Sequence, residues 1–189
     1  MESLIKQITN IEKFTPTEIE SIISKFKYHK FNAKEYLLKG NETSRHIHFI
    51  VNGLVRVFYL KDGKEITTYL SCDNGFVYSH ASFINQSKSF EFIQCLEDTE
   101  ALSIDFNGMQ ELYDSIPQWQ KIGRILAEST VICLSDRLLK LHASPAKEKY
   151  VDFLKTSPIK IVQRTPLIHI ASFLGIAPES LSRIRKEIS

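Results

Sequence analysis

Cysteine is scarce in this 189-residue chain. The three cysteines are Cys72, Cys95 and Cys133, and no two of them show the C-x-x-C spacing. Because they are few, far apart and odd in number, the sequence predicts neither a disulfide framework nor a structural zinc site. Inert cysteines in a reducing compartment are the expectation, since none has an activating group next to it in sequence.

Long apolar runs are also missing. No stretch approaches the roughly 18 consecutive apolar residues of a membrane span, and the N-terminus lacks a charged segment followed by an apolar one. The composition, 43% apolar and 24% charged, is that of an ordinary globular protein with one large or two small domains. We therefore expect a cytoplasmic protein without a membrane anchor.

The few glycines, 7 in all, occur at informative places. Asn52-Gly53 and Asp62-Gly63 each separate short runs rich in β-branched and aromatic residues, and such dipeptides are strong hairpin signals. Further short runs of this kind continue to about Phe106. The close spacing of the runs predicts a small β-barrel or sandwich rather than alternating strands and helices.

Helical patterns lie on both sides of this β-rich segment. Residues 1–28 are predicted to be helical, with Thr15 and Glu18 as a capping box. A longer helix is predicted after Asn107, with a start signal at Ser115, and its apolar residues have the spacing of a coiled-coil seam. The seam consists of Ala127, Val131, Leu134, Leu138 and Leu141. It favours homodimerisation, although one core helix with a wide apolar face would give a similar pattern.

Positive charge is concentrated at the C-terminal end. Residues 145–189 hold 8 basic and 4 acidic side chains, whereas residues 1–144 hold 16 and 18. This asymmetry indicates an anionic partner for the last quarter of the chain. New helices are expected after Ser144, Thr165 and Ala177, each followed by a proline at the first helical position.

Residues 166–186 have the pattern of a helix–turn–helix. Ala171 is small where two helices must cross, Gly175 permits a sharp turn, and Leu181 and Ile184 can hold down the second helix. A recognition helix places side chains near its N-terminus on base edges in the major groove. The candidate DNA-binding residues are Pro178, Glu179, Ser180, Ser182, Arg183, Arg185 and Lys186. Arg183 can bind guanine and Glu179 cytosine, whereas Arg185 and Lys186 are better placed for phosphates.

The whole chain resembles the Crp/Fnr family of bacterial transcription regulators, in particular small members found in Bacteroidetes-type bacteria. The similarity lies in "HIHFIVNGLVRVFY", "DGKEIT", "PLIHIASFLGIAPESLSRIRK" and the E-x-x-S-R pattern ending at Arg183. The resemblance implies an α+β protein with a double-stranded, jelly-roll-like β-roll, a dimerisation helix and a helix–turn–helix domain. It places these at 1–115, 116–143 and 144–189, and implies a homodimer that binds palindromic promoter DNA and contacts RNA polymerase.

The effector region departs from that family's pattern. Cyclic-AMP binders carry a Glu for the ribose and an Arg-Ser pair for the cyclic phosphate, where this chain has Ser79 and then Ser89-Phe90. The resemblance places a candidate effector pocket at Tyr78, Ser79, His80, Lys88, Ser89, Phe90, Leu134 and Ser135. We expect that cyclic-AMP binding is lost and that no haem, iron–sulfur cluster or zinc is bound. The chain also ends directly after the recognition helix, without the wing hairpin of many relatives.

Two other functions fit parts of the sequence. Gly40, His46 and His48 reproduce the opening of a cupin metal motif, and two His at i and i+2 share one strand face. A cupin-like, metal-dependent enzyme would need a Glu downstream, where Asn52-Gly53 stands instead. A degenerate sensor acting only as a protein-interaction module is the other alternative, and the outward Arg183 argues against it. The prediction is a regulator and not an enzyme.

Overall fold

Two short helices precede the strands. The computed structural model describes residues 1–188; the predicted DNA-binding domain extends to Ser189, which lies outside the described residues. Helix α1 spans Glu2–Thr9 and α2 spans Pro16–Lys25. The capping box is confirmed, because the Glu18 N–H donates to the Thr15 hydroxyl at 3.3 Å and the Thr15 N–H donates to the Glu18 carboxylate at 2.7 Å.

The β-roll consists of two four-stranded sheets with antiparallel pairing, ordered β1-β8-β3-β6 and β2-β7-β4-β5. The strands are β1 (Lys27–Phe31), β2 (Tyr36–Leu38), β3 (His46–Asn52), β4 (Leu54–Lys61), β5 (Lys64–Cys72), β6 (Phe76–Val77), β7 (Glu91–Cys95) and β8 (Thr99–Asp105). Ile50 and Ala101 of one sheet pack against Val55 and Ile93 of the other. The predicted fold class is confirmed.

The two glycine dipeptides have different roles. Asp62-Gly63 joins β4 to β5, with positive φ at both residues and Lys61 paired with Lys64, so the predicted hairpin is present. The hairpin predicted at Asn52-Gly53 is wrong, because β3 and β4 belong to different sheets. Gly53, with φ of +144°, forms the corner between the sheets, and a Cβ there would lie 2.4 Å from the Thr99 hydroxyl.

Helices cover the outer faces of both sheets. The face of β3 that carries Ile47 and Phe49 packs against α1, α2 and the helices that follow β8. On the other sheet, Leu54 and Leu70 pack against the C-terminal helices. The continuous burial of β4 from Leu54 to Phe58 follows from this cover on both sides.

The long helix α5 spans Pro117–Ala143, after α3 (His80–Asn85) and α4 (Phe106–Ser115). The predicted cap at Ser115 is wrong, because this serine ends α4 and its hydroxyl donates to the Glu111 carbonyl at 2.6 Å. The cap predicted at Ser144 is displaced by one residue, to Pro145. The Ser144 N–H still donates to the Lys140 carbonyl at 3.2 Å and so closes the last turn of α5.

Four helices follow α5 within residues 1–188. They are α6 (Ala146–Thr156), α7 (Ile159–Arg164), α8 (Leu167–Leu174) and α9 (Pro178–Ile188). Tyr150, Phe153 and Ile161 form their shared core with the residues that face inward on α8 and α9. This core is continuous with Leu54 and Leu70 of the roll, so the four helices pack directly against the sheet and are not connected to it through α5 alone.

Candidate DNA interface and effector region

Helices α8 and α9 are joined by the turn that the sequence predicts. Gly175 ends α8 in the left-handed conformation, with φ of 64° and ψ of 38°, and a side chain here would be strained. The Ile176 N–H donates to the Ala171 carbonyl at 2.9 Å, and the Ile176 side chain is buried in the joint. Ala171 is fully buried between the helices, as its small size requires.

The two sides of α9 differ sharply in exposure. Leu181 and Ile184 are buried, whereas Pro178, Glu179, Ser182, Arg183, Arg185 and Lys186 are exposed and Ser180 is half-buried. The exposed side carries the N-terminal residues that a recognition helix needs for base contacts. Glu187, near the other end of α9, lies 3.4 Å from the Lys147 ammonium of α6.

The first helix of the motif has one residue in an unexpected place. The apolar pattern of residues 166–186 also predicts that Ile168 faces inward with Ile170, but the Ile168 side chain is 60% exposed. Leu167 packs against the helical core instead, because it lies on the same side of the helix as the buried Ile170 and Leu174. The outward isoleucine does not alter the exposed face of α9.

The polar half of the predicted effector pocket forms a closed hydrogen-bonded network. The Ser89 hydroxyl lies 3.0 Å from the Ser79 hydroxyl, which donates to the Glu91 carboxylate at 2.5 Å. The Glu91 N–H donates back to the Ser89 hydroxyl at 2.9 Å. Ser79 and Ser89 are both buried. A carboxylate therefore lies beside Ser89, the residue that the resemblance places where cyclic-AMP binders of the family carry an Arg.

Aromatic side chains border the network on one side. The Tyr78 ring lies 4.0 Å from the His80 ring and 5.6 Å from the Phe83 ring, measured between centroids. Burial raises the pKa of Tyr78 and lowers the pKa of His80, so both groups are neutral near pH 7. This cluster belongs to the core between the roll and the helices.

The other predicted pocket residues lie elsewhere, so the eight do not form one site within residues 1–188. Lys88 is exposed, and Phe90 is 70% exposed with its ring against Tyr59. Leu134 and Ser135 are exposed on α5. Leu126, nearer the start of α5, packs against the core that the roll shares with its neighbouring helices, whereas Leu134 lies beside β5.

The two histidines of the cupin-like pattern, His46 and His48, contact other protein side chains. The His48 Nδ1 lies 2.7 Å from the Ser103 hydroxyl, and burial lowers the pKa of His48 to about 3. His46 is exposed, with its ring centroid 5.9 Å from that of His48. Within residues 1–188, no group of three or more His, Cys, Asp and Glu side chains could hold a metal ion. Cys72 and Cys95 are buried free thiols, and Cys133 is exposed.

A polar contact between the roll and α8 was not predicted from the sequence. Arg56 of β4 is 3% exposed, and its guanidinium lies 2.9 Å from His169 Nδ1 and 2.6 Å from the Glu65 carboxylate. The Thr67 N–H also donates to the Ser172 hydroxyl at 2.9 Å. We call this set the Arg56 contact. The one local feature of the sequence that indicates this contact is Arg56 itself, a charged residue within the otherwise apolar start of β4.

One face of α5 is apolar and exposed. The exposed residues are Val131, Ile132, Leu134, Leu138 and Leu139, and they include three members of the predicted seam. Contiguous apolar surface of this kind marks an interaction site in proteins. No helix in the described range 1–188 is long and apolar enough to cross a membrane.

Comparisons with known proteins agree with this architecture. Residues 28–115 match the family model of the cyclic nucleotide-binding domain. The structure is similar to a CooA mutant from Carboxydothermus hydrogenoformans, with a TM-score of 0.72 and 19% identity over 96% of this chain and 82% of that one. FixK2 from Bradyrhizobium japonicum has a TM-score of 0.75 and 15% identity, over 86% and 84% of the two chains.

A third similar structure carries the family name. It is a protein from Eubacterium rectale described as a transcriptional regulator of the Crp/Fnr family, with a TM-score of 0.70 and 16% identity over 92% of this chain and 83% of that one. No curated protein matches the sequence. Residues 28–115 thus match the cyclic nucleotide-binding domain model, and the chain shares the overall fold of these solved regulators, one of which is described as a Crp/Fnr family member.

Proposed function

We propose that this chain is a homodimeric, sequence-specific DNA-binding regulator of transcription without enzymatic activity. The observation that carries the proposal is the exposed side of α9, where Glu179, Ser182 and Arg183 point away from the buried Leu181 and Ile184. A helix that served packing alone would not need this sequence of exposed hydrogen-bonding groups at its N-terminal end.

The exposed side of α9 suits the major groove of B-DNA. Arg183 has the planar fork that binds the O6 and N7 atoms of guanine, and Glu179 can accept a hydrogen bond from cytosine N4. Arg185 and Lys186, one turn further on, are placed for phosphates, which set position rather than sequence. The net positive charge of residues 145–189 adds affinity that falls with salt.

The exposed face of α5 supports the homodimer. Two copies packed through Leu134 and Leu138 would relate their α9 helices by a two-fold axis, and the target would then be palindromic. Half-sites would lie about 34 Å apart, one turn of the duplex. The proposed partners are double-stranded promoter DNA and, as the family resemblance implies, RNA polymerase, and the proposed location is the cytoplasm.

We further propose that the roll has lost cyclic-AMP binding. A cyclic phosphate that enters the roll loses its water shell and needs charged donors in exchange. Here it would meet the Glu91 carboxylate, which the Ser79 hydroxyl holds at 2.5 Å. The phosphate and the carboxylate would repel each other, and Ser89 supplies one neutral hydroxyl in place of a guanidinium.

Selection from genomic fragments with the purified full chain tests the proposal. One palindromic sequence class should be enriched, and Arg183→Ala should weaken its binding by about 1–3 kcal/mol and relax the preference at one base pair per half-site. Arg45→Ala is the matched control, since Arg45 is an exposed arginine of the roll. Enrichment of no sequence, with retained binding to a protein, would instead establish an interaction module.

A further inference from the structure

A cleft of about 340 Å³ opens where the roll, α5 and the C-terminal helices meet. We call it the hinge cleft because its lining includes residues of both α5 and α6, which meet at Ser144. Residues 68–70 of β5 form one wall, residues 133–141 of α5 a second, and residues of α6, α7 and α8 the third. A molecule bound here would touch each of the three parts of the protein.

The walls of the hinge cleft are apolar and aromatic, and its rim is charged. Tyr69, Phe153 and Phe173 are the aromatic lining residues. On the rim, the Lys140 ammonium lies 2.6 Å from both the Asp136 and Asp152 carboxylates, so one positive charge is shared by two carboxylates and this group has a net negative charge. The remaining cations of the lining are Arg137 and Lys149.

Arg137 is a cation without a counter-charge among the described residues. Its guanidinium donates to three carbonyl oxygens, those of Thr67, Thr68 and Phe173, and lies 4.5 Å above the Phe173 ring. Its Nε is buried and has no hydrogen-bond partner within residues 1–188. Burial lowers the pKa of Arg137, and no carboxylate acts against this effect.

A half-buried guanidinium whose Nε is buried and unpartnered is stabilised by an anion. Charges inside proteins are ordinarily paired, because desolvation without a partner costs several kcal/mol. We propose that the hinge cleft is a binding site for a small aromatic acid in its ionised form, with the ring among Tyr69, Phe153 and Phe173 and the acid group on Arg137. The volume is at the low end for a ligand pocket, which suits a molecule of this size.

The consequence for regulation rests on the proposed DNA binding. Because Arg137 already joins α5 to the roll and to Phe173 of α8, a ligand held on it would stiffen the position of the DNA-binding helices. The ligand would thereby act as an effector at a place distinct from the Ser79–Glu91 network of the roll. The binding site itself does not depend on this consequence.

Two fluorescent probes test the charge of the ligand. 8-Anilinonaphthalene-1-sulfonate and N-phenyl-1-naphthylamine share their aromatic rings, and the first alone carries an acid group. Arg137→Gln should weaken binding of the sulfonate by about tenfold or more, as for the loss of a charge-assisted hydrogen bond, and change the neutral probe little. Arg45→Gln, the matched control, should change neither. Equal loss of both probes would overturn the proposal.

Two further variants distinguish the loss of the ligand contact from a folding defect, because they keep Arg137 or its charge. Arg137→Lys should retain most of the preference for the sulfonate. Cys133→Trp fills the cleft from α5 with Arg137 in place, and it should abolish sulfonate binding. A Cys133→Trp protein that binds the sulfonate as tightly as the original chain would show that the probe lies elsewhere.

Alkylation with iodoacetamide locates the probe directly. Cys133 lines the hinge cleft and is exposed, whereas Cys72 and Cys95 are buried and report unfolding if they react. Saturating sulfonate probe should slow the reaction of Cys133 severalfold. An unchanged rate at saturation would overturn the proposed site.

The binding measurements contain no DNA, so the two proposals fail separately. If the sulfonate protects Cys133 but the protein enriches no DNA sequence, the ligand site is supported and the proposed regulatory function is wrong. If the protein binds a palindrome but the sulfonate does not protect Cys133, the regulatory function is supported and the ligand site is wrong.

Discussion

The two faces of α5 are similar in apolar character and opposite in environment. On one face, Trp119 and Ile122 are almost fully buried against α2, α4 and the roll. On the other face, Leu134 and Leu138 are 52% and 58% exposed. The covered face is packed within one chain, whereas the exposed face is free to form the dimer contact that we propose. One helix would then carry both the core of a protomer and the contact between protomers.

The largest expected effect is on the exposed face. The double change Leu134→Asp and Leu138→Asp would place unpaired carboxylates in the dimer contact, at a cost of several kcal/mol. The protein should become monomeric by light scattering and lose palindromic DNA binding with α9 unchanged. Leu60→Asp is the control, because Leu60 is also 52% exposed but lies at the end of β4. If the unsubstituted protein is monomeric when it binds DNA tightly, the predicted dimer contact through Leu134 and Leu138 is wrong.

The covered face should respond in stability rather than in assembly. The Trp119 ring packs against Phe14 and Phe26, and its Nε1–H donates to the Met109 sulfur at 3.3 Å. Trp119→Ala should lower the free energy of unfolding by about 3–5 kcal/mol. Urea denaturation at one fixed protein concentration measures this loss, since dimer stability depends on concentration. Light scattering below the transition should still find a dimer.

A smaller effect on stability is expected at the Arg56 contact, which joins the roll to α8. Burial first, and then the Arg56 charge, lower the pKa of His169 below its usual 6.5, although Glu65 acts in the opposite direction. As pH falls below about 6.5 the unfolded chain takes up the proton first. The stabilisation by neutral His169 is therefore complete above that pH and is lost as pH falls toward the folded-state pKa.

Urea denaturation at pH 7.5 and 5.5 tests the His169 prediction. His169→Gln should reduce the loss of stability on acidification by less than about 1.4 kcal/mol per pH unit. His48, whose pKa is lowered to about 3, contributes a loss of the same sign in both proteins and cancels in the comparison. His142→Gln, on the exposed end of α5, serves as control. An identical pH dependence in the His169 variant would refute the contact.

The last prediction is that the addition of cyclic AMP has no effect. Cyclic AMP should give no calorimetric signal and should change neither dimerisation through α5 nor DNA affinity. Glu91 and the serines around it take the place of the charged fork that a cyclic phosphate needs. Stoichiometric micromolar binding would show that the network opens, and tightening of the dimer would place the exposed face under ligand control.

Local sequence predicts much of this fold and little of its long-range arrangement. Asp62-Gly63 specifies a hairpin because the turn geometry is contained in two residues, and Gly175 specifies the turn before α9 for the same reason. Asn52-Gly53 has an equally strong signal, yet it forms a corner, since the sheet that a following strand joins is decided by distant partners.

The candidate sites show the same division. The exposed and buried sides of α9 follow from its period, and Arg183 is found by counting along the helix. Which residues of α5 pack against the roll is set by tertiary contacts, so sequence reasoning selected Leu134 and missed Leu126, which packs against the core of the roll. Arg56 and His169 are 113 positions apart, and no spacing rule joins them.

The cover on the outer face of β4 has a consequence for synthesis on the ribosome. Leu54 and Leu70 are covered by helices that lie about 100 residues later in the chain, around Ile170. At roughly 5–20 residues per second this strand face waits about 5–20 s for its cover. The nascent roll thus emerges with one apolar side open to chaperones, and its folding ends only when the C-terminal helices arrive.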